Sequence, residues 1–324
     1  MYKLIRPLLF GLSKDPETVH HLALAFLKLA DRPIVSSFIH SLTKTTNPAL
    51  EQKFFGLNFK NPIGLAAGFD KEAKAVLGLE AVDFGFLEVG TASRYAQTGN
   101  PKPRLFRLDK DLALINRMGF NSQGAEALAK TLAGVNLKIP VGVSIGKTKV
   151  VPLEQAAGDY AGSFATLYNH GDFFVINVSS PNTPNLRKLA EKNYLIEIIT
   201  ALQKYRSTQK VYKHILIKTV IDFSLEAIDE MLQVCSDYKI DGIICSNTSI
   251  ARENLKIQIN EGGGLSGAPI KQKSTEYVRY IHKQAHPCLS LASAEYLPPR
   301  TPTKKLKPAP HCCKFIPVLF TKGR

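Results

Sequence analysis

Between Pro62 and Gln284, short and almost wholly apolar runs take turns with longer stretches of helical patterning. The strand-like runs are Pro62–Ala66, Phe84–Val89, Val141–Ile145, Phe173–Val178, Ile215–Lys218 and Gly242–Cys245. Helical patterns occupy Lys71–Leu79, Gly124–Leu132, Leu153–Tyr168, Tyr194–Tyr205, Leu225–Tyr238 and Ser274–Gln284. A strand that is apolar on both faces must be covered on both, and helices joining successive strands supply the cover, so the rhythm demands a parallel α/β sheet. Polar residues follow the runs directly: Ala67-Gly68, Gly90-Thr91, Gly146-Lys147, Asn177–Ser180, Lys218 and Ser246-Asn247-Thr248. A (β/α)8 TIM barrel carries its active site at the C-terminal ends of its strands, and that is the fold expected here. A doubly wound sheet is the alternative, but no Gly-x-Gly-x-x-Gly follows the first strand. Six strand–helix units can be counted, and an eight-fold barrel needs two more.

Ahead of the barrel, residues 1–45 read as a helical hairpin. Asp15-Pro16-Glu17 has the pattern of an N-cap, a first-turn proline and an acid at the positive helix end. Pro33 ends that helix, and Ile34–Leu42 forms a second. Both are short and apolar, with His20, His21, Lys28 and Arg32 around them. Such a pair suits either a bilayer interface or the flank of the main core. No apolar segment reaches transmembrane length, and no secretory signal is convincing. The net charge of +15 is partly local, since Cys288–Arg324 carries seven Lys and Arg against one Glu. No basic run is interleaved with aromatics, which argues against nucleic acid as a partner. Five cysteines without a CxxC spacing fit neither a disulfide framework nor a zinc site, and suit a reducing cytosol.

Asn116, Asn177, Asn182 and Asn247 lie at or beside strand ends. A single Asn there is usually a cap or a turn residue. Several converging amides, each both donor and acceptor, can read a flat heterocycle with alternating C=O and N–H groups, such as a pyrimidine. Lys218 ends a buried strand and therefore needs an anionic partner; Lys71 opens a helix and is also compatible with a surface position. Ser180 sits in a polar loop after a buried strand, where a hydroxyl can act as general base only with help. No Gly-x-Ser-x-Gly elbow surrounds it, which disfavours acyl transfer.

Several segments together resemble the dihydroorotate dehydrogenase family. They are Asn61-Pro-Ile-Gly-Leu-Ala-Ala-Gly-Phe-Asp-Lys71, Pro103-Arg-Leu-Phe-Arg107, Asn116-Arg-Met-Gly-Phe-Asn121, Asn177-Val-Ser-Ser-Pro-Asn-Thr-Pro184 and Gly263-Gly-Leu-Ser-Gly267. They stand in family order over residues 1–287. Serine at 180, where the cytosolic class carries cysteine, and the N-terminal helices resemble the membrane-associated, quinone-reducing class. The resemblance implies oxidation of dihydroorotate to orotate in pyrimidine (UMP) synthesis, with FMN as cofactor and a membrane quinone as final acceptor. It implies a monotopic location on the cytoplasmic face of the inner or plasma membrane. Ser180 would be the catalytic base. Lys71, Asn116, Arg117, Met118, Gly119, Phe120, Asn177, Asn182, Asn247 and Thr248 would hold substrate. Ala67, Gly68, Phe69, Asp70, Lys71, Thr91, Ser144, Asn177, Lys218, Ser246 and Gly267 would hold FMN. His20 and Arg107 would lie near a quinone tunnel. Residues 1–45 would form the membrane and tunnel element, and 46–287 the FMN-binding barrel. Ser144 and Thr148 stand where the family has Asn, Ser246 where it has Thr, and Ile221 where it has Pro; the loop Ala92–Thr98 lacks its usual prolines.

The tail departs further. The resemblance calls for a seventh strand ending in Gly-Val-Gly-Gly-Ile and an eighth ending in Tyr-Thr-Gly-Phe, whose loops grip the FMN phosphate. Neither occurs. Instead Pro298, Pro299, Pro302, Pro308 and Pro310 punctuate a stretch with no period of 2 or 3.6. Leu291–Leu297 can be encoded TTG GCG TCG GCG GAA TAT TTA; preceded by A and shifted one base, it reads Ile-Gly-Val-Gly-Gly-Ile-Phe. The same shift over Cys313–Phe320 gives Leu/Val-Gln-Ile-Tyr-Thr-Gly-Phe-Ile, and over Pro302–Pro308 Ala-Tyr-Glu-Lys-Ile-Lys-Ala. The expectation is a one-base frame change near His286–Cys288, with strands seven and eight lost and 288–324 without regular structure. An inactive remnant, with at most weak ligand or membrane-surface binding, is the alternative functional reading.

Overall fold

The computed structural model describes residues 15–44, 47–183, 186–253 and 255–284, and the backbone of 289–293 and 315–321. Asp15 caps the first helix, α1 (Pro16–Lys28), its carboxylate accepting from the backbone N–H of Glu17 at 3.0 Å and of Thr18 at 3.2 Å. Pro33 opens α2 (Pro33–Thr43), as the break in pattern predicts. A hairpin of β1 (Gln52–Phe54) and β2 (Leu57–Phe59) follows.

The main sheet starts with β3 (Ile63–Leu65) and β4 (Phe86–Ala92). Two strands then leave the main sheet, β5 (Leu105–Leu108) and β6 (Ala113–Asn116). The sheet resumes with β7 (Val141–Ile145), β8 (Phe173–Asn177), β9 (His214–Thr219) and β10 (Gly242–Cys245). These six main-sheet strands pair in parallel and curl. The helices Val76–Ala81, Ala125–Ala133, Ala156–Leu167, Lys192–Ser207, Leu225–Asp237 and Lys271–Gln284 connect them or follow them. The apolar residues on the outer face of the strands and the inner face of these helices form one large core. Every sequence-predicted strand–helix unit is present. The first helix is shorter than the pattern predicts: residues 71–75 form turns, because the buried Asp70 carboxylate accepts from the backbone N–H of Lys74 and Ala75 and so holds them out of the helix.

The expected loss of strands seven and eight is not what the chain does. β12 (Leu289–Ser293) pairs parallel with β10, Gly242 facing Leu289. β13 (Phe315–Thr321) pairs antiparallel with both β12 and β3, closing the ring with its last strand reversed. Phe315–Thr321 is rich in strand-forming Phe, Ile, Val and Thr, whereas Leu289–Ser293 offers only alternating leucines; an open sheet edge is a template for such runs. The fold is thus an α/β curled parallel sheet with N-terminal helices, and it departs from eight parallel repeats at its final strand. Residues 1–14, 285–288, 294–314 and 322–324 lie outside the described residues, as do the expectations made for them.

A second sheet went unread. β5 and β6 join β11 (Gly264–Gly267) in antiparallel order β11–β6–β5. Its strands are four residues long. Only alternate residues of β6 are fully buried, so no continuous apolar run marks it.

Candidate active site

Side-chain parity decides what fills the ring, since successive side chains of a strand point to opposite faces. Phe86, Phe173, Val175, Leu216 and Ile244 cluster with Phe59 and Ala66 as an apolar floor. The floor is packed by size complementarity. A Cβ on Gly64 would lie 2.0 Å from the Phe86 ring, and one on Gly142 would lie 2.3 Å from the Phe173 ring. Two residues further along the same strands come Glu88, Ser144, Asn177, Lys218 and Ser246, all buried. An apolar floor therefore carries a polar layer, and above that layer opens a cavity of about 240 Å³.

The layer is cross-linked. The Thr91 hydroxyl lies 2.9 Å from that of Ser144 and accepts from Asn177 Nδ2 at 2.8 Å. Asn247 Nδ2 donates to Ser179 Oγ at 3.0 Å and to Asn177 Oδ1 at 3.3 Å, while its own carbonyl accepts from Thr248 N–H at 2.8 Å. Asn182 Nδ2 donates to the Asn116 backbone carbonyl at 3.0 Å and to its side-chain carbonyl at 3.2 Å. Ser180, 5% exposed, faces the same cavity and accepts from Asn182 N–H at 3.3 Å. Lys71 bonds Asn121 at the rim. Lys218 lies 3.4 Å from both carboxylate oxygens of Glu88.

Helix α1 forms one wall through Pro16, Glu17, His20, His21 and Leu24. Glu17, 2% exposed, binds it to the mouth by a 2.8 Å ion pair with Arg104, with Lys102 at 3.5 Å. Burial alone would raise the Glu17 carboxyl, but the Arg104 guanidinium and Lys102 outweigh it and hold the group below its ordinary value. His20 packs edge-on against Phe69, ring centroids 4.9 Å apart. Burial, with the charges of His21 and Lys71, pushes the His20 imidazole down to about 4, so it is neutral at physiological pH.

Most of the sequence-selected residues meet here. Ala67, Gly68, Phe69, Asp70, Lys71, Thr91, Asn116, Met118, Gly119, Phe120, Asn177, Ser180, Asn182, Lys218, Ser246, Asn247, Thr248 and His20 all line the cavity. Ser144 stands one hydrogen bond behind, through Thr91. Three others do not line it either. Arg117 turns away, its guanidinium 4.5 Å from the Phe106 ring centre and paired with Glu261. Gly267 packs on β6, where a Cβ would fall 2.4 Å from the Leu112 carbonyl, and its neighbour Ser266 lines the cavity instead. Arg107 lies on β5, whose Leu105 reaches the cavity. The sequence reading missed Glu17, Glu88 and Ser266. Glu88 had a signal, a lone carboxylate inside the run Phe86–Val89.

The donor set suits a flat ring with several acceptors: an ammonium, hydroxyls and an amide around one rim. Gly68 holds φ +106°, and a Cβ there would meet nothing within 4 Å, so bare backbone faces the open cavity. The loops expected to grip a cofactor phosphate fall on residues outside those described.

The model of the dihydroorotate dehydrogenase family matches residues 49–293. A dihydroorotate dehydrogenase (quinone) from Gloeobacter violaceus is 49% identical over 281 residues, covering 87% of this chain and 78% of the relative. One from Christiangramia forsetii is 45% identical over 289 residues, covering 88% and 84%. The crystal structure of DHODH from Eimeria tenella in complex with ferulenol superposes with a TM-score of 0.80 at 33% identity, covering 89% of this chain and 83% of that one. The parity of six strands, the amide-lined mouth and these likenesses lead to one conclusion: the chain belongs to the dihydroorotate dehydrogenase family.

Proposed function

We propose that the chain is a quinone-dependent dihydroorotate dehydrogenase that oxidises dihydroorotate to orotate in de novo pyrimidine biosynthesis, with FMN as its flavin. The observation that carries this is the convergence of Ser180, Lys71 and the amides of Asn116, Asn177, Asn182 and Asn247 on one cavity behind Lys218. When bound, the flavin supplies a two-electron acceptor for substrate and a donor to quinone. Ser180 would take the proton from C5 of dihydroorotate as the substrate gives up its C6 hydride, which leaves a C5=C6 double bond in orotate; the flavin, when bound, would be the acceptor of that hydride. The Asn side chains, each donor and acceptor, read the ring's carbonyl and N–H edge, and Lys71 balances the substrate carboxylate. Ala67, Gly68, Thr91, Asn177, Lys218 and Ser246, which line the cavity, would hold the flavin ring.

Residues 15–44 serve as quinone entrance and membrane foot. Phe26, Ile34, Phe38 and Leu42 are 66, 87, 65 and 59% exposed, an apolar surface suited to lying in a bilayer interface on the cytoplasmic face. Among the described residues no helix is long and apolar enough to cross a membrane. The test is orotate formation with a soluble quinone, together with identification of the acid-released flavin. Ser180→Ala lowers kcat by roughly 10²- to 10⁴-fold with flavin content unchanged; undiminished turnover in that variant overturns the assignment.

A second reading concerns the tail. The family match stops at residue 293, and β13 enters the ring reversed. The reversed strand supports a one-base frame change near His286–Cys288. Sequencing the genomic DNA decides it: an alternative frame encoding Gly-Val-Gly-Gly-Ile and Tyr-Thr-Gly-Phe supports it, and its absence refutes it.

A further inference from the structure

The carboxylate of Glu88 has no role in the reaction as described, yet it is buried inside the ring and touches the groups that face the cofactor. We propose that Glu88 is a positioning residue that acts through Lys218, setting how much positive charge the cavity presents to the flavin. The inference rests on the flavin reading above.

Glu88 is 5% exposed and does not line the cavity, so it does not reach the cofactor itself. Its two oxygens face Lys218 Nζ at 3.4 Å each, and Oε2 also accepts from Ala67 N–H at 3.2 Å. Lys218 and Ala67 both line the cavity. One carboxylate thus fixes a side chain from β9 and a backbone amide at the end of β3, from a position on β4 between them. The parity that puts Phe86 in the floor puts Glu88 in the polar layer, so the strand register leaves it no other face. A buried ammonium without a counter-charge is costly, and the pair removes that cost before any cofactor arrives. The pair also has a consequence for chemistry. Two-electron reduction leaves negative charge on a flavin, and an ammonium beside the ring favours the reduced form. A carboxylate behind that ammonium offsets part of its field. Glu88 therefore tempers the pull of Lys218.

Three variants test this by reduction potential and by melting midpoint. In Glu88→Gln the potential of bound FMN rises, shifting the reduced-to-oxidised ratio at a fixed poise at least tenfold, about 30 mV for a two-electron couple. In Lys218→Met it falls. In the double variant the reduced-to-oxidised ratio stays within about threefold of that of Lys218→Met, because the lysine carries most of the effect and only the bond to Ala67 N–H remains beside it. A merely structural Glu88 would not move the potential with this sign, and an unchanged or lowered potential in Glu88→Gln overturns the proposal. If Glu88→Gln does not fold, the comparison of the double variant with Lys218→Met decides, since a difference between them of more than about threefold in that ratio is incompatible with action mainly through Lys218. The melting midpoints give a flavin-free reading. Each single change lowers the midpoint by roughly 5 °C or more, and the double variant regains at least half of that loss. Simple addition of the two losses also overturns the proposal. A wild-type chain that takes up no flavin while the midpoints still couple defeats the functional assignment alone.

Discussion

Two glycines separate the roles of floor and mouth at the residue scale. Gly68 has φ +106° and open space where a Cβ would stand. Gly68→Ala should cost roughly 1–2 kcal/mol of backbone strain and place a methyl in the cavity. Flavin titration should show at least a tenfold loss of affinity with the fold intact. Gly64 has the opposite surroundings, with the Phe86 ring 2.0 Å from its missing Cβ. Gly64→Ala should lower stability by about 1–3 kcal/mol through overpacking, read as a lower denaturant midpoint at unchanged slope. Site residues were legible where a polar group directly followed an apolar strand, as with Asn177, Lys218 and Ser246. Arg117 and Gly267 were selected from the right segments, but their neighbours Met118 and Ser266 face the cavity, because pattern locates a segment and only the register fixes its facing. Glu88 was passed over because it lies within an apolar run, where the period-2 alternation alone shows that it points inward.

α1 at the element scale is held by groups that respond to acid. The His20 value is depressed from 6.5 to about 4, so the unfolded helix binds a proton that the docked helix refuses. Stability from this source is fully present above pH 6.5 and is lost as pH falls from 6.5 to 4, by roughly 3 kcal/mol. Glu17, depressed below its ordinary 4.5, adds a further loss as pH falls below 4.5. Hydrogen exchange of residues 16–28, corrected for intrinsic rates, should accelerate across this window while β8 stays protected. His20→Gln should flatten the part above pH 4.5; an identical profile in that variant contradicts the account. The α1 boundaries were legible because Asp15, Pro16 and Pro33 are strong local signals. The docking of α1 was not, because Glu17 and Arg104 are 87 residues apart. The β11–β6–β5 sheet escaped notice because its strands are short and distant in sequence, Ser266 and Leu114 being 152 residues apart.

The parallel sheet of the whole molecule follows from six strands buried on both faces, and that much was readable from composition along the chain. The closure was not: apolar segments in the tail pair with the sheet's open edges, and β13 does so in the reverse direction. Replacing the tail after His286 by strands that end in Gly-Val-Gly-Gly-Ile and Tyr-Thr-Gly-Phe should raise flavin affinity at least tenfold, measured by titration of the two chains side by side, since such loops carry backbone N–H groups suited to a phosphate. The central claim is that the polar layer above the apolar floor is where dihydroorotate is oxidised. It is met most directly by mixing dihydroorotate anaerobically with the flavin-loaded chain and following the loss of yellow absorbance. The account predicts prompt bleaching in the wild type and a rate at least ~100-fold lower in Ser180→Ala. Flavin that stays oxidised in the wild type, or equal rates in the two proteins, would contradict it.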